Sequence, residues 1–193
     1  MNDVIFEFLS NYIELSEEEI DIISKQNLMR SFKKGTILLS EGKIAKECYF
    51  ILQGCVSSYY LIDGEVKVTE FFTEKQPITP VSYTTKKPSE YYLKCLEDCI
   101  ISIGTAERSE ELMRKVPRLA ALGTNILEDQ LANERMKYDD FIKLSPEDRY
   151  QNLQKTSPDL LNRIPQYLIA SYLGIKPESL SRIRKRLNNK SVS

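Results

Sequence analysis

The sequence predicts an α+β protein with a β-rich first half, a long helix and a compact helical C-terminal segment. Three observations predict it. Between Leu28 and Gly104, short runs rich in Val, Ile, Tyr, Phe and Thr are separated by Lys34-Gly35, Glu41-Gly42, Gln53-Gly54 and Asp63-Gly64, the punctuation of a sheet. After Pro117 apolar residues recur every three or four positions, as one face of a helix requires. From Gln166 to Lys185 small, apolar and basic residues fall where two short helices and a tight turn between them need them.

Ser16 and Glu19 have capping-box spacing, which predicts a short helix through Ile20, Ile22 and Ile23. Alternation from Glu65 to Phe71 predicts a strand, and Asp63-Gly64 a hairpin turn before it. Several such strands suggest a small barrel or sandwich. The Tyr92 to Ile101 stretch reads as strand, turn, strand. Thr105 begins helical patterning, and Pro117 marks the entry to a long helix reaching toward Phe141. Leu119, Leu122, Ile126 and Gln130 share one of its faces, widened by Leu127 and Leu131. That face suits pairing with a second chain; packing on the chain's own sheet explains the same residues. Ser145 then reads as an N-cap, with Pro146 at the first helical position and Glu147 and Asp148 behind it. A C-terminal domain is expected to begin near residue 143.

An apolar fraction of 41% over 193 residues is ordinary for a globular chain. No run approaches the roughly 20 apolar residues of a membrane span, and Met1 to Leu9 has no basic leader, so the expectation is a cytoplasmic protein without membrane contact. The formal charge of -1 hides a segregation: residues 162 to 193 carry seven basic side chains against Glu178 alone, giving +6, and the remainder carries -7. A basic end attracts phosphates, while an acidic body discourages indiscriminate binding. Histidine is absent, no carboxylate pair sits in a catalytic motif, and no glycine-rich nucleotide loop is present; an enzyme is not expected. Cys48, Cys55, Cys95 and Cys99 lack paired metal-ligand spacing, so they read as buried free thiols, and no metal or cofactor is expected.

In the C-terminal segment, Gln166 to Tyr172 forms the supporting helix, Gly174 to Lys176 the turn, and Pro177 to about Leu187 the recognition helix. Ala170 is small enough for a close crossing, and Leu180 and Ile183 anchor the second helix. Glu178, Arg182 and Lys185 then share the opposite face. Arg182 carries the fork that donates two hydrogen bonds to guanine, and Glu178 can accept from the amino group of cytosine. Ser179 and Ser181 suit bases or phosphates, whereas Lys176, Arg184, Lys185 and Arg186 suit the DNA backbone.

The stretch Pro165-Gln166-x-x-Ile169-Ala170-Ser171-Tyr172-Leu173-Gly174-Ile175-x-Pro177-Glu178-Ser179-Leu180-Ser181-Arg182-Ile183-Arg184 resembles the Crp/Fnr superfamily of bacterial transcription regulators, particularly a group common in Bacteroidetes. The resemblance extends through Asp148-Arg149-Tyr150, Leu153 and Pro158, and more loosely to Gly35, Glu41-Gly42, Tyr49-Phe50-Ile51, Gly54, Pro88-Ser89 and Cys95 to Asp98. It implies a cyclic-nucleotide-binding-like β jelly roll at 1–115, a dimerisation helix and linker at 116–142 that carries Leu119, Leu122, Ile126 and Gln130 as the dimer seam, and a helix-turn-helix domain at 143–193. It further implies a homodimer on double-stranded promoter DNA, with Glu178, Ser179 and Arg182 reading bases, Lys176, Ser181, Arg184, Lys185 and Arg186 on the backbone, and RNA polymerase a candidate partner. The family's arginine at the place of Pro177 is absent, so the cyclic-AMP-receptor operator is not expected. After Arg186 too few residues follow for a hairpin wing. A cyclic-nucleotide cassette needs Gly-Glu and Arg-x-Ala, and the corresponding Pro80 to Leu93 has neither; Lys86 or Lys87 supplies charge without the arginine fork. Cyclic AMP is therefore not expected as effector, and an effector of unknown identity stays open. The alternative is a non-catalytic protein-interaction module with a degenerate sensor and no specific DNA target.

Overall fold

The computed structural model describes residues 2–26 and 28–190. The last three residues of the tail expected to be too short for a wing lie outside them. The chain divides into two compact units, one made of Met1–Tyr59 and Glu70–Gln130, the other of Tyr60–Thr69 and Leu131–Ser193.

The chain opens with α1 (Asn2–Ser10) and α2 (Glu17–Gln26). The capping box forms as its spacing requires: the Ser16 amide donates to Glu19 Oε2 at 2.8 Å and the Glu19 amide donates to Ser16 Oγ at 3.3 Å. Then come β1 (Leu28–Phe32), β2 (Ile37–Leu39), β3 (Cys48–Gln53), β4 (Val56–Ile62), β5 (Glu65–Phe72), β6 (Pro77–Ile78), a single-turn α3 (Val81–Thr85), β7 (Tyr92–Cys95) and β8 (Cys99–Gly104). The strands form two four-stranded sheets, ordered β1-β8-β3-β6 and β2-β7-β4-β5, the double-sheet arrangement of a jelly roll. Pairing is antiparallel, with Leu28 opposite Ile103 and Phe32 opposite Cys99 in the first sheet and Val56 opposite Cys95 in the second. β8 buries every second residue, Cys99, Ile101 and Ile103, and these meet Ile51 from β3 and Leu39, Val56 and Leu93 from the other sheet in one core.

Two turns are fixed by backbone conformation. Asp63 and Gly64 both take positive φ, 52° and 80°, as a two-residue hairpin between β4 and β5 requires. At Gly54, with φ of +100°, an added Cβ would lie 2.7 Å from both Asp98 O and Cys99 Sγ, so only glycine fits between β3 and β4. None of the four cysteines is in a disulfide; Cys55, Cys95 and Cys99 are buried and Cys48 is half-buried. Burial pushes the Cys48 thiol up, as it does the Tyr49 phenol, which is pushed up to about 12 with a further contribution from the charge of Glu47.

Helices complete the chain: α4 (Ala106–Lys115), α5 (Leu119–Lys143), α6 (Pro146–Thr156), α7 (Pro158–Arg163), α8 (Gln166–Tyr172) and α9 (Pro177–Lys190). α5 is the long helix expected after Pro117. Ser145 caps α6 by accepting from the Asp148 amide. Among the described residues no helix is long and apolar enough to cross a membrane.

Candidate nucleic-acid interface

α8 and α9 form a helix-turn-helix whose turn follows from local sequence. At the end of α8 the Gly174 amide donates to Ser171 O and the Ile175 amide donates to Ala170 O, both at 3.0 Å, with Gly174 at φ +70°. This is the Schellman pattern, in which a left-handed residue lets the last helical carbonyls be satisfied. Ala170 and Ile169 are fully buried at the helix crossing. α9 starts at Pro177, whose missing N–H is one a first helical turn leaves unused. Leu180 (1% exposed) and Ile183 are buried, so α9 is held by this face and presents the other.

On that other face Glu178, Arg182 and Lys185 are all exposed, as are Lys176, Ser181 and Arg184. Ser179 is half-buried on the flank, further from the presented face than Glu178 and Arg182. Arg186 forms an ion pair with Glu147 of α6, so part of its charge is spent within the chain. Beside α9 lies a cleft of about 550 Å³, lined by Gln166 of α8 and by Ser181, Arg184, Lys185, Asn188 and Asn189 of α9. Gln166, Asn188 and Asn189 were not among the DNA-contacting residues expected from sequence. Helical spacing 181, 184/185, 188 would have found the two asparagines had α9 been carried past Leu187; it continues to Lys190.

Arg149 of α6 also escaped sequence reasoning except as part of a resemblance. Its Nη1 donates to Phe141 O (2.8 Å) and Leu144 O (3.1 Å), and its Nη2 donates to Leu173 O (2.8 Å). The guanidinium lies 4.4 Å from the Phe141 ring centroid. One side chain thus ties the C-terminal carbonyls of α5 to the turn between α8 and α9. Phe141 closes the same turn: a Cβ on Gly174 would come within 3.2 Å of its Cζ.

The region expected to replace the nucleotide cassette contains α3, which its Val, Tyr and Thr content did not announce as helix. Several hydrogen bonds in and around it are made within the chain. The Val81 amide donates to Tyr91 Oη at 3.0 Å, the Ala45 amide donates to buried Ser82 Oγ at 3.1 Å, and the Gly42 amide donates to Ser89 O at 2.7 Å. Lys86 lies 4.6 Å from the Tyr83 ring centroid. Tyr83 and Tyr91 pack against the jelly-roll core.

The four residues of the expected dimer seam lie elsewhere than on a free face. Leu119 and Leu122 are buried with Ile23 and Val116, and Ile126 packs against the same cluster with Phe6, Leu9 and Tyr12. Gln130 Nε2 donates to Pro77 O at 3.3 Å. The N-terminal helices of the chain itself pack on Leu119, Leu122 and Ile126, and Gln130 reaches β6 of the sheet. The exposed apolar residues of α5 are Leu127, Leu131, Met136, Tyr138, Phe141 and Ile142.

Residues 29–115 match the cyclic nucleotide-binding domain family. No curated protein sequence matches the chain. Among solved structures, the chain is similar to the catabolite activator protein of Thermus thermophilus, at 19% identity and a TM-score of 0.57 over 96% of this chain and 88% of that one. It is also similar to CLP, the c-di-GMP-responsive global regulator of Xanthomonas campestris, at 18% identity and a TM-score of 0.67 over 91% and 93% of the two chains. FixK2 of Bradyrhizobium japonicum gives 18% identity and a TM-score of 0.68 over 86% of each chain. At these identities the likeness is one of fold, and the chain has the fold of these regulators: a cyclic nucleotide-binding-like β domain, a long helix and a C-terminal helix-turn-helix.

Proposed function

We propose that the chain is a sequence-specific, DNA-binding transcriptional regulator of the Crp/Fnr type, acting as a homodimer on promoter DNA and not answering to cyclic AMP. The observation that carries this reading is α9: Leu180 and Ile183 bury one side while Glu178, Arg182 and Lys185 stand exposed on the other, beyond a turn closed by Gly174. A helix held in this way can lie in a major groove with its charged face toward the bases. Arg182 and Glu178 then read base edges, and Lys176, Ser181, Arg184 and Lys185 meet phosphates. Selection of duplexes from a random library, followed by a salt series on the selected operator, is the test. Recovery of a two-fold-related motif with a steep salt dependence supports the reading; recovery of no motif sinks it.

Internal use of the cassette donors supports an effector other than cyclic AMP, or none. A cyclic phosphate needs free amides and a guanidinium; here Tyr91 Oη takes the Val81 amide, and the segment Pro80 to Leu93 contains no arginine. Calorimetry with low-micromolar cyclic AMP is expected to give no binding heat. Saturable binding that also changes operator affinity would overturn this expectation.

With Leu119 and Leu122 inside the protomer, the dimer seam falls to the stripe spaced by four and seven residues, Leu127, Leu131 and Tyr138, of which Leu131 is 73% exposed. That spacing is the one an apolar helix seam uses. Leu131→Glu is expected to convert a dimer to a monomer by light scattering at micromolar concentration, with helicity retained. A wild-type monomer under the same conditions would refute the dimer.

A further inference from the structure

The apolar stripe that α5 leaves exposed has a charged step in it. Leu127, Leu131 and Tyr138 are exposed, and the position that completes their alternating four- and three-residue spacing is Glu134, itself exposed. In a two-stranded seam of this spacing each residue inserts into a hole made by four residues of the facing helix. For Glu134 facing a second copy in parallel and in register, those four are the copy's Leu131, Glu134, Arg135 and Tyr138. A carboxylate thus meets a guanidinium, and two-fold symmetry repeats the meeting. Within one protomer both groups sit in exposed pairs along the same helix: Glu134 accepts from Lys137 Nζ at 2.9 Å, and Arg135 Nε lies 3.4 Å from Asp139 Oδ1. Such pairs contribute little in water and exchange easily. The Arg135 guanidinium already leans over the stripe, 5.8 Å from the Tyr138 ring centroid.

We propose that Glu134 and Arg135 form a polar layer in the dimer seam, each copy's carboxylate on the other copy's guanidinium, and that this layer fixes the two copies of α5 as a parallel, in-register pair. The inference rests on the dimer reading above. Charge complementarity selects the alignment. A slip of one heptad sets Glu134 beside Glu128 or Ile142 of the second copy in place of Arg135, and an antiparallel pairing centred on this layer sets Arg135 against Arg135. A carboxylate closed in without a cation, or like charges face to face, disfavours each of those arrangements. The layer is less stabilising than an apolar pair at the same place, and its function is to specify register. Parallel pairing also brings together the C-terminal ends of the two helices, from which the DNA-binding segments continue.

Sedimentation equilibrium on wild type, Glu134→Arg, Arg135→Glu, the double variant and an equimolar mixture of the two single variants is the test, with helicity checked by circular dichroism. Each single reversal is expected to weaken the homodimer roughly 10-fold, because both attractive pairs turn repulsive. The mixture is expected to form a heterodimer at least as tight as wild type, since each chain then meets its opposite charge. The double variant is expected to regain wild-type affinity even though it leaves Lys137 and Asp139 facing like charges along the helix, so the rescue cannot come from pairs within one protomer. A wild-type dimer whose single reversals dissociate as wild type does, or a mixture as weak as its components, overturns the polar layer alone. A wild-type monomer takes the dimer reading down and the layer with it. Should a reversal cost the helix, Glu134→Gln and Arg135→Gln decide instead: each is expected to weaken the dimer roughly 3-fold, and no weakening in either overturns the layer.

Discussion

Arg149→Ala is expected to destabilise the helix-turn-helix unit by roughly 2 to 4 kcal/mol, the largest effect of any single truncation considered for this unit. Hydrogen bonds from a charged donor contribute about 1.5 to 3 kcal/mol each, and Arg149 makes three, to Phe141 O, Leu144 O and Leu173 O. They do not add in full, because the exposed Phe141 end of the set regains water when the guanidinium is gone. Against this, the arginine sets its Nε in a buried position without a hydrogen-bond partner among the described residues, a cost that alanine removes. Loss of the stacking on Phe141 adds to the damage, since that ring also shapes the turn at Gly174. Arg149→Lys is expected to recover only part of the loss: an ammonium is a point charge and cannot aim two nitrogens at three carbonyls. Urea unfolding followed by circular dichroism measures both variants, and a midpoint unchanged in Arg149→Ala would remove the tie from the account of this unit.

Arg182→Ala is expected to cost roughly 1 to 3 kcal/mol at one preferred base pair while leaving the fold intact. Its side chain stands exposed, away from the Leu180 and Ile183 face, so truncation opens no cavity. Lys185→Ala should behave differently. It should weaken all duplexes similarly and lower the salt slope by about 1 if it meets one phosphate. A salt series on the selected operator and its single-base variants separates the two roles. Unchanged base preference in folded Arg182→Ala would end its reading role, and an unchanged slope in Lys185→Ala would take that lysine off the backbone list.

What could be read from sequence was local. The capping box at Ser16 and Glu19, the cap at Ser145, the hairpin at Asp63-Gly64 and the glycine stop at Gly174 each declare themselves within four residues, and each forms. The α8 boundaries were legible for the same reason. Contacts set by the fold were not. Periodicity showed that Leu119 and Leu122 belong on one face but not what covers it, and α1 and α2 do so from the other end of their unit's sequence. α3 hides in residues of high strand propensity, because tertiary bonds such as Ala45 to Ser82 hold it. Arg149 looks like an ordinary helix-surface residue until the carbonyls it reaches are in place.

The phenol of Tyr91 on the Val81 amide has a consequence for which ligands can stabilise the fold. A domain whose binding loop stays open gains stability whenever ligand is present, by an amount that grows with the logarithm of concentration. On the proposal that cyclic AMP is not its effector, this domain, whose Tyr91 Oη already takes the Val81 amide, is expected to gain no stability from that nucleotide. Its thermal midpoint is then expected to stay put when cyclic AMP is added, while operator DNA, which binds the folded chain, raises it.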